Sequence, residues 1–147
     1  MMHVRELLRK KSANVVTVQP NTEVLTAVQL LVRHNIGGLP VVAPDGSVVG
    51  FVSERDVVKG VEANSDALPR QPVERIMQRP PICRAEDTLH EVMSRMTRER
   101  LRHLVVVDEG RTIGVISVGD LVKYRLEELE LEAGTLRDYV AAQRAAR

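Results

Sequence analysis

Residues 49–59 read Val-Gly-Phe-Val-Ser-Glu-Arg-Asp-Val-Val-Lys, and residues 113–123 read Ile-Gly-Val-Ile-Ser-Val-Gly-Asp-Leu-Val-Lys. The Gly, Ser, Asp, Val and Lys recur at an offset of 64, and most of the remaining positions exchange one apolar side chain for another. Self-similarity at a fixed offset is the signature of a repeated structural unit. The chain of 147 residues is therefore predicted to contain two related halves.

The similarity continues upstream of these two stretches. At an offset of 65, residues 39–42 match residues 104–107, and five apolar positions of the preceding segment also have counterparts. The single-residue change of offset falls at the turns that contain Asp45-Gly46 and Glu109-Gly110. Because loops tolerate a change of length, the two halves can share one fold.

Hydrophobic periodicity predicts the elements of each half. A short strand is followed by an amphipathic helix, for which Thr22 and Asp87 are the candidate N-caps. Two Val-rich runs around a turn then predict a β-hairpin, and a second helix follows from Asp56 and from Asp120. The predicted fold class is α/β, of the α+β kind, with two β-α-β-β-α units.

The predicted boundaries follow from the repeat and from the prolines between its copies. The first repeat covers residues 1–63, a linker covers 64–80, the second repeat covers 81–124, and a C-terminal helix covers 125–147. A unit of this size buries too little surface to be stable alone. The two units are therefore expected to pack together around one shared core.

Composition excludes several classes of function. The chain has 21 Lys and Arg against 20 Asp and Glu, so its net charge of +1 disfavours nucleic acid as a partner. No apolar run approaches the roughly 20 residues of a membrane span, and the N-terminus lacks the apolar stretch of a secretory signal. The single cysteine, Cys83, excludes a disulfide framework and a multi-cysteine metal site and favours a cytoplasmic location.

The repeated motif is Gly-x-x-Ser-x-x-Asp, and it has two interpretations. In the first, Ser53 with Asp56 and Ser117 with Asp120 form capping boxes that stabilise the start of a helix. In the second, the same helix N-termini attract a phosphate, and the carboxylates accept hydrogen bonds from vicinal ribose hydroxyls. The residue types and their spacing alone leave both interpretations open.

These residues resemble a known family. Ser53 to Asp56 and Ser117 to Asp120, together with the segments 36–42 and 101–107, are similar to paired CBS domains, the tandem repeat called a Bateman module. The resemblance extends over residues 15–123. It implies a regulatory sensor that binds AMP, ADP, ATP, NAD or S-adenosylmethionine in clefts between the repeats. No cofactor is required, and the output passes to a protein effector that the sequence does not identify.

The resemblance also implies roles for individual residues. Asp56 and Asp120 would each hold ribose hydroxyls, and Ser53 and Ser117 would meet phosphate or ribose oxygens. The short strands at 16–18 and 82–83 would flank the adenine with Thr17, Val18, Ile82 and Cys83. Independently of this resemblance, Cys83 is predicted to be a small buried apolar residue and not a nucleophile, as free cysteines commonly are.

A basic pair distinguishes the two predicted clefts. The resemblance implies that Arg102 and His103, together with Arg55, would serve the Asp56 cleft, whereas the counterpart of this pair in the first repeat is the uncharged Gly37-Gly38. The Asp56 cleft is therefore predicted to be the better site for a charged nucleotide. The alternative for Arg102 is a solvated helix face, because Arg95, Arg98 and Arg102 follow at spacings of three and four.

Catalysis is not expected, because the sequence contains no nucleotide-binding glycine loop, nucleophile elbow or paired metal-ligand histidines. The alternative function is a ligand-free scaffold or protein-interaction module, with nucleic acid as a less favoured associate.

The segment after the second repeat has an apolar seam. Its members alternate in steps of four and three, as in a coiled coil, and are Val122, Leu126, Leu129, Ala133, Leu136 and Val140. The helix either packs on its own module or contacts a second copy. The resemblance favours a homodimer.

Overall fold

A computed structural model describes residues 2–11 and 14–146. The outer limits of the predicted first repeat and C-terminal helix, Met1 and Arg147, lie outside the described residues. The chain begins with helix α1 (Val4–Lys11). The first repeat then forms α2 (Val24–His34), β1 (Gly38–Val42), β2 (Val48–Ser53) and α3 (Glu54–Asn64).

Two short 3-10 turns, Leu68–Arg70 and Val73–Arg75, connect the repeats. The second repeat forms the following elements: β3 (Ile82–Arg84), α4 (Leu89–Glu99), β4 (His103–Asp108), β5 (Arg111–Ser117) and α5 (Val118–Ala145). The α/β fold class and the hairpin between two helices are confirmed in both halves.

The two sheets have equivalent registers. In the first, β1 and β2 are antiparallel and Gly38 pairs with Ser53; in the second, β4 and β5 are antiparallel and His103 pairs with Ser117. Strand β3 adds in parallel to β4. The predicted strand at 16–18 is reduced to one bridge, between Val18 and Val41.

The predicted caps of α2 and α4 are wrong by one residue. Thr88 is the N-cap of α4, where its side chain and that of Glu91 form a capping box, and Glu23 precedes α2 without a side-chain cap. Asp87 instead accepts a hydrogen bond from the backbone N–H of Arg84, at 2.8 Å. Short polar side chains at adjacent positions compete for the same backbone donors, so the sequence pattern does not decide between them.

The expected single core is wrong, because the buried apolar residues form two clusters that exchange segments. Val4 and Leu7 of α1 pack in the cluster of the second repeat. Leu68 and Val73 of the connecting turns pack in the cluster of the first repeat. Each small sheet is thus covered by a segment that lies outside its own β-α-β-β-α pattern, which explains how units of this size bury a core.

The final helix does not divide at the predicted boundary between residues 124 and 125. Helix α5 runs without interruption over 28 residues, so it is about 42 Å long. Leu121 is its last buried residue. The predicted C-terminal helix is therefore an extension of the last helix of the second repeat.

Candidate functional site

Both copies of the repeated motif form capping boxes, so the structural interpretation of the motif is confirmed. Ser53 Oγ accepts from the Asp56 N–H at 3.3 Å, and Asp56 Oδ2 accepts from the Ser53 N–H at 2.9 Å. Ser117 Oγ accepts from the Asp120 N–H at 3.1 Å, and Asp120 Oδ2 accepts from the Ser117 N–H at 2.8 Å. In each carboxylate the cap occupies Oδ2 and leaves Oδ1 without a hydrogen bond to residues 2–11 or 14–146.

A cavity of about 410 Å³ lies at the second of these motifs. Both repeats contribute to it, and so do α1 and the segment after it. Its walls contain few side chains with charge and several glycines. The lining residues are Leu8, Lys11, Asn14, Val15, Val16, residues 34–38, His103, Gly114, Val115, Ser117 and Asp120.

Lys11, at the C-terminal end of α1, supplies a positive charge to this cavity. Its Nζ lies 2.8 Å from Asp120 Oδ2 and donates to the carbonyl oxygen of Val115 at 2.9 Å. Burial raises the pKa of the Asp120 carboxyl, but hydrogen bonds from Lys11 and Ser117 outweigh burial and hold this pKa below its ordinary value. In this structure Asp120 is therefore a carboxylate paired with an ammonium group.

His103 lies in the Asp120 cavity, although the sequence assigned it to the Asp56 cleft. The reason is the β4–β5 register, which places His103 beside Ser117. The His103 ring packs on Phe51, with 5.3 Å between ring centroids, and a Cβ on Gly37 would lie 3.2 Å from His103 Nε2. The absence of side chains at Gly37 and Gly38 thus provides space for two rings between the repeats.

The other residues that were assigned to the Asp56 cleft do not line the Asp120 cavity. Arg55 and Arg102 are exposed, and the backbone carbonyl of Arg102 accepts from the Val118 N–H at 3.0 Å. Asp56 is buried in its capping box, and it forms no ion pair within the described part of the chain.

Of the residues expected to flank an adenine, some lie in the core and others lie at the surface. Val18 and Cys83 are buried in the two core clusters. The prediction that Cys83 is a small buried apolar residue is therefore confirmed, and burial raises the pKa of its thiol to about 12. Thr17 is half-buried and Ile82 is exposed. Val15 and Val16 line the cavity instead.

Lys11 has no equivalent at the first motif. Leu8 packs where a Cβ on Gly114 would be, and Met77 packs where a Cβ on Gly50 would be, so α1 and the connecting segment are equivalent in the two halves. Three residues beyond these contacts the sequence has Lys11 in one case and Pro80 in the other. The alignment of the two repeats does not include Lys11, because α1 lies upstream of the matched segments but packs on the second repeat.

The half-buried His103 predicts a pH dependence of stability. Burial lowers the pKa of His103, and Lys11 and Arg102 act in the same direction, whereas Asp120 and Glu54 oppose them. The unfolded chain, with a histidine pKa of about 6.5, therefore binds this proton more readily than the folded protein does. The part of the free energy of unfolding that depends on His103 is therefore fully present above pH 6.5. It is lost as the pH falls below 6.5 towards the lower pKa of the folded protein.

Urea unfolding at pH 7.5 and 5.5 measures this effect. We expect the free energy of unfolding to fall more in the wild type than in His103→Gln, since the other three histidines are common to both proteins. Equal losses in the two proteins would contradict the assignment to His103.

No group of three or more His, Cys, Asp or Glu side chains in residues 2–11 and 14–146 is arranged to hold a metal ion. No described helix has both the length and the apolar content that crossing a membrane requires.

Comparison with known proteins identifies the family. The family model for the CBS domain matches residues 4–63 and 73–127. A CBS-domain containing protein of known structure from Agrobacterium tumefaciens is 38% identical, with a TM-score of 0.77, and the match covers 84% of this chain and 99% of that one. A CBS domain protein from Pyrobaculum aerophilum, solved in complex with AMP, is 28% identical, with a TM-score of 0.76 and coverage of 90% and 99%.

An uncharacterised relative from Methanocaldococcus jannaschii is 29% identical over 127 residues, and the match covers 82% of this chain but 41% of the relative. The chain thus spans less than half the length of that protein. The two matches to the family model together cover more than half of this chain and coincide with the two structural repeats. The chain therefore belongs to the CBS-domain family, as a tandem pair of CBS repeats.

Proposed function

We propose that this protein is a non-catalytic regulatory module that binds an adenosine-containing ligand in the Asp120 cleft, with AMP as the first candidate. The supporting observation is the cavity of about 410 Å³ between the repeats, which contains one carboxylate, Asp120, and one ammonium group, Lys11. A volume of this order is typical of small-molecule sites. The similarity to the AMP complex from Pyrobaculum aerophilum supports the ligand class.

Each part of a nucleotide has a complementary group in this cleft. Asp120 Oδ1, which has no hydrogen bond within the described residues, can accept from the vicinal hydroxyls of a ribose, as acidic residues do in dinucleotide-binding folds. The start of α5 favours a negative charge, and Lys11 is a cation for a phosphate. Val15, Val16 and Ile36 provide an apolar wall for the purine.

The choice of the Asp120 cleft replaces the expectation that the Asp56 cleft is the better nucleotide site. That expectation depended on Arg102 and His103, and His103 lies in the other cavity. Lys11 also contributes its charge to Asp120 and not to Asp56.

A thermal-shift panel of AMP, ATP, NAD and S-adenosylmethionine tests the proposed function. A ligand at about 100 times its Kd adds about 2.7 kcal/mol to stability, which is about 5–10 °C in Tm for a protein of this size. Mass spectrometry of the recovered ligand should show it unchanged. A panel without any shift would favour the ligand-free scaffold, and turnover of a ligand would contradict the non-catalytic assignment.

Lys11 is expected to set the preference for a phosphorylated ligand. In this structure its Nζ is paired with Asp120, so a ribose that binds Asp120 would remove that partner, and a phosphate would supply a new one. We expect the wild type to bind AMP at least ~10-fold more tightly than adenosine, and Lys11→Met to reduce this ratio to about 3-fold or less.

Isothermal titration of AMP and adenosine measures the ratio directly. Lys59→Met is the matched control, since it makes the same change of charge at an exposed position that does not line the cavity. An unchanged ratio in Lys11→Met would show that Lys11 does not contact the phosphate.

The output of such a module must pass to another molecule. We propose a cytoplasmic homodimer whose geometry changes with ligand and is read by a protein effector, as the CBS family membership and the free thiol of Cys83 suggest.

A further inference from the structure

The distal part of α5 exposes a row of apolar side chains. Beyond Leu121 the helix continues for 24 residues to Ala145, with most of its side chains exposed. The seam predicted from the sequence is real: five large members are 41–63% exposed, namely Val122, Leu126, Leu129, Leu136 and Val140. An exposed apolar stripe of this kind is typical of an interaction site.

The seam is continuous with an apolar groove on the module itself. Helices α4 and α5 enclose a groove of about 410 Å³ whose lining includes Met93, Met96, Leu101 and Val122. Val122 is also the first member of the seam. Groove and seam therefore form one apolar surface, which we call the α5 surface, and a single partner has to cover both parts.

The charges beside the seam indicate which partner fits. With Leu126 and Ala133 at heptad position a and Leu129 at d, Arg125 and Glu132 occupy g, and Glu130 and Arg137 occupy e. In a parallel two-stranded coiled coil, each g residue meets the e residue five positions later on the other helix. Arg125 then meets Glu130, and Glu132 meets Arg137, so both contacts join opposite charges.

An antiparallel pair is unfavourable for the same reason. The seam is symmetric about residue 131, so antiparallel helices would bring together Glu130 and Glu132 of both chains. We propose that the α5 surface binds the α5 surface of a second copy of this chain in parallel, as a short coiled coil continued by the groove. This inference deepens the homodimer proposed above by assigning its interface and its orientation.

Sedimentation equilibrium of the full chain tests the surface. We expect the wild type to be a dimer and Leu129→Asp to raise the dimer dissociation constant at least ~30-fold, because a carboxylate would be buried in an apolar contact. Leu131→Asp is the matched control: Leu131 lies on the same helix, is 73% exposed and is off the seam. We expect it to change the dissociation constant less than ~3-fold.

Disulfide cross-linking tests the orientation. In the parallel pair, residue 136 of one chain faces residue 136 of the other chain. Leu136→Cys treated with diamide should therefore give a covalent dimer. In an antiparallel pair the two copies of residue 136 would be about 15 Å apart, at a rise of 1.5 Å per residue, and would not cross-link. Cys83 is buried and does not compete.

A charge exchange gives an independent test of orientation. Glu132→Arg should raise the dissociation constant about 3- to 10-fold, and the double variant Glu132→Arg with Arg137→Glu should restore it. Failure of this rescue, or of the cross-link, would overturn the parallel arrangement.

The outcomes separate the two proposals. A wild type that is monomeric throughout would overturn the homodimer together with this inference. A dimer insensitive to Leu129→Asp would leave the homodimer standing and overturn the α5 surface as its interface. AMP binding is measured on every variant, because none of these positions lines the Asp120 cleft, and retained binding shows that the variant is folded.

Discussion

Replacement of Asp120 by Asn is expected to raise the Kd for AMP about 100-fold. The amide keeps the size of the side chain and one acceptor for the Ser117 N–H. It removes the negatively charged carboxylate, which is proposed to accept hydrogen bonds from two ribose hydroxyls. A hydrogen bond to a charged group contributes about 1.5–3 kcal/mol, and each 1.4 kcal/mol is tenfold in affinity. Loss of both hydrogen bonds should therefore weaken AMP binding by about 3 kcal/mol, which corresponds to the expected 100-fold rise in Kd.

The matched control is Asp56→Asn, which makes the same change in the equivalent capping box. Because Asp56 does not line the Asp120 cavity, we expect its Kd for AMP to stay within about 3-fold of the wild type. Isothermal titration of both variants, with Tm measured as a check of folding, decides between the clefts. Loss of binding in Asp56→Asn alone would return the site to the cleft favoured by the sequence.

Gly38→Ala is expected to lower the free energy of unfolding by about 2–3 kcal/mol. A Cβ at this position would lie 2.3 Å from Cζ of Phe51, which is a rigid ring, 5% exposed, that packs on His103. Overpacking of this kind costs about 1–3 kcal/mol, because neighbouring side chains and backbone have to move. The change should also weaken AMP binding, since Gly38 and His103 both line the cleft.

Urea unfolding measures the loss, and two variants make the interpretation specific. Phe51→Leu in the Gly38→Ala background should restore part of the stability by removing the ring that the new methyl group meets. Gly119→Ala is the control: its Cβ would meet only Ser117 Oγ, at 3.5 Å, and alanine is favoured over glycine within a helix by about 0.5–1 kcal/mol. Equal losses at positions 38 and 119 would contradict the packing argument.

The local features of the fold could be predicted because their causes lie close together in the sequence. The hairpins, the second helix of each repeat and the capping boxes of Ser53 and Ser117 depend on periodicity and on residues three positions apart. The seam on α5 was likewise visible as steps of four and three. The errors at this level were small: a cap displaced from Asp87 to Thr88, and a strand at 16–18 reduced to Val18.

The candidate site could be predicted only in part. The sequence identified Ser117, Asp120 and His103, but it placed His103 opposite Asp56, because aligning the repeats does not show which hairpin faces which cleft. It did not find Lys11, whose 2.8 Å contact with Asp120 joins residues 109 positions apart. It also treated Gly37 and Gly38 as missing charges, whereas they provide space for Phe51 and His103.

By itself, the sequence determined that this protein is a tandem repeat with two acidic capping motifs, since periodicity and caps depend on residues that lie close together in the chain. The resemblance of these motifs to CBS domains pointed to the family. Only the tertiary structure decided how the two motifs differ. Helix α1 packs on the second repeat and the connecting turns pack on the first. This exchange brings a lysine to Asp120 and leaves Pro80 at the equivalent place, because burial of apolar surface, and not sequence proximity, selects which segment covers each small core.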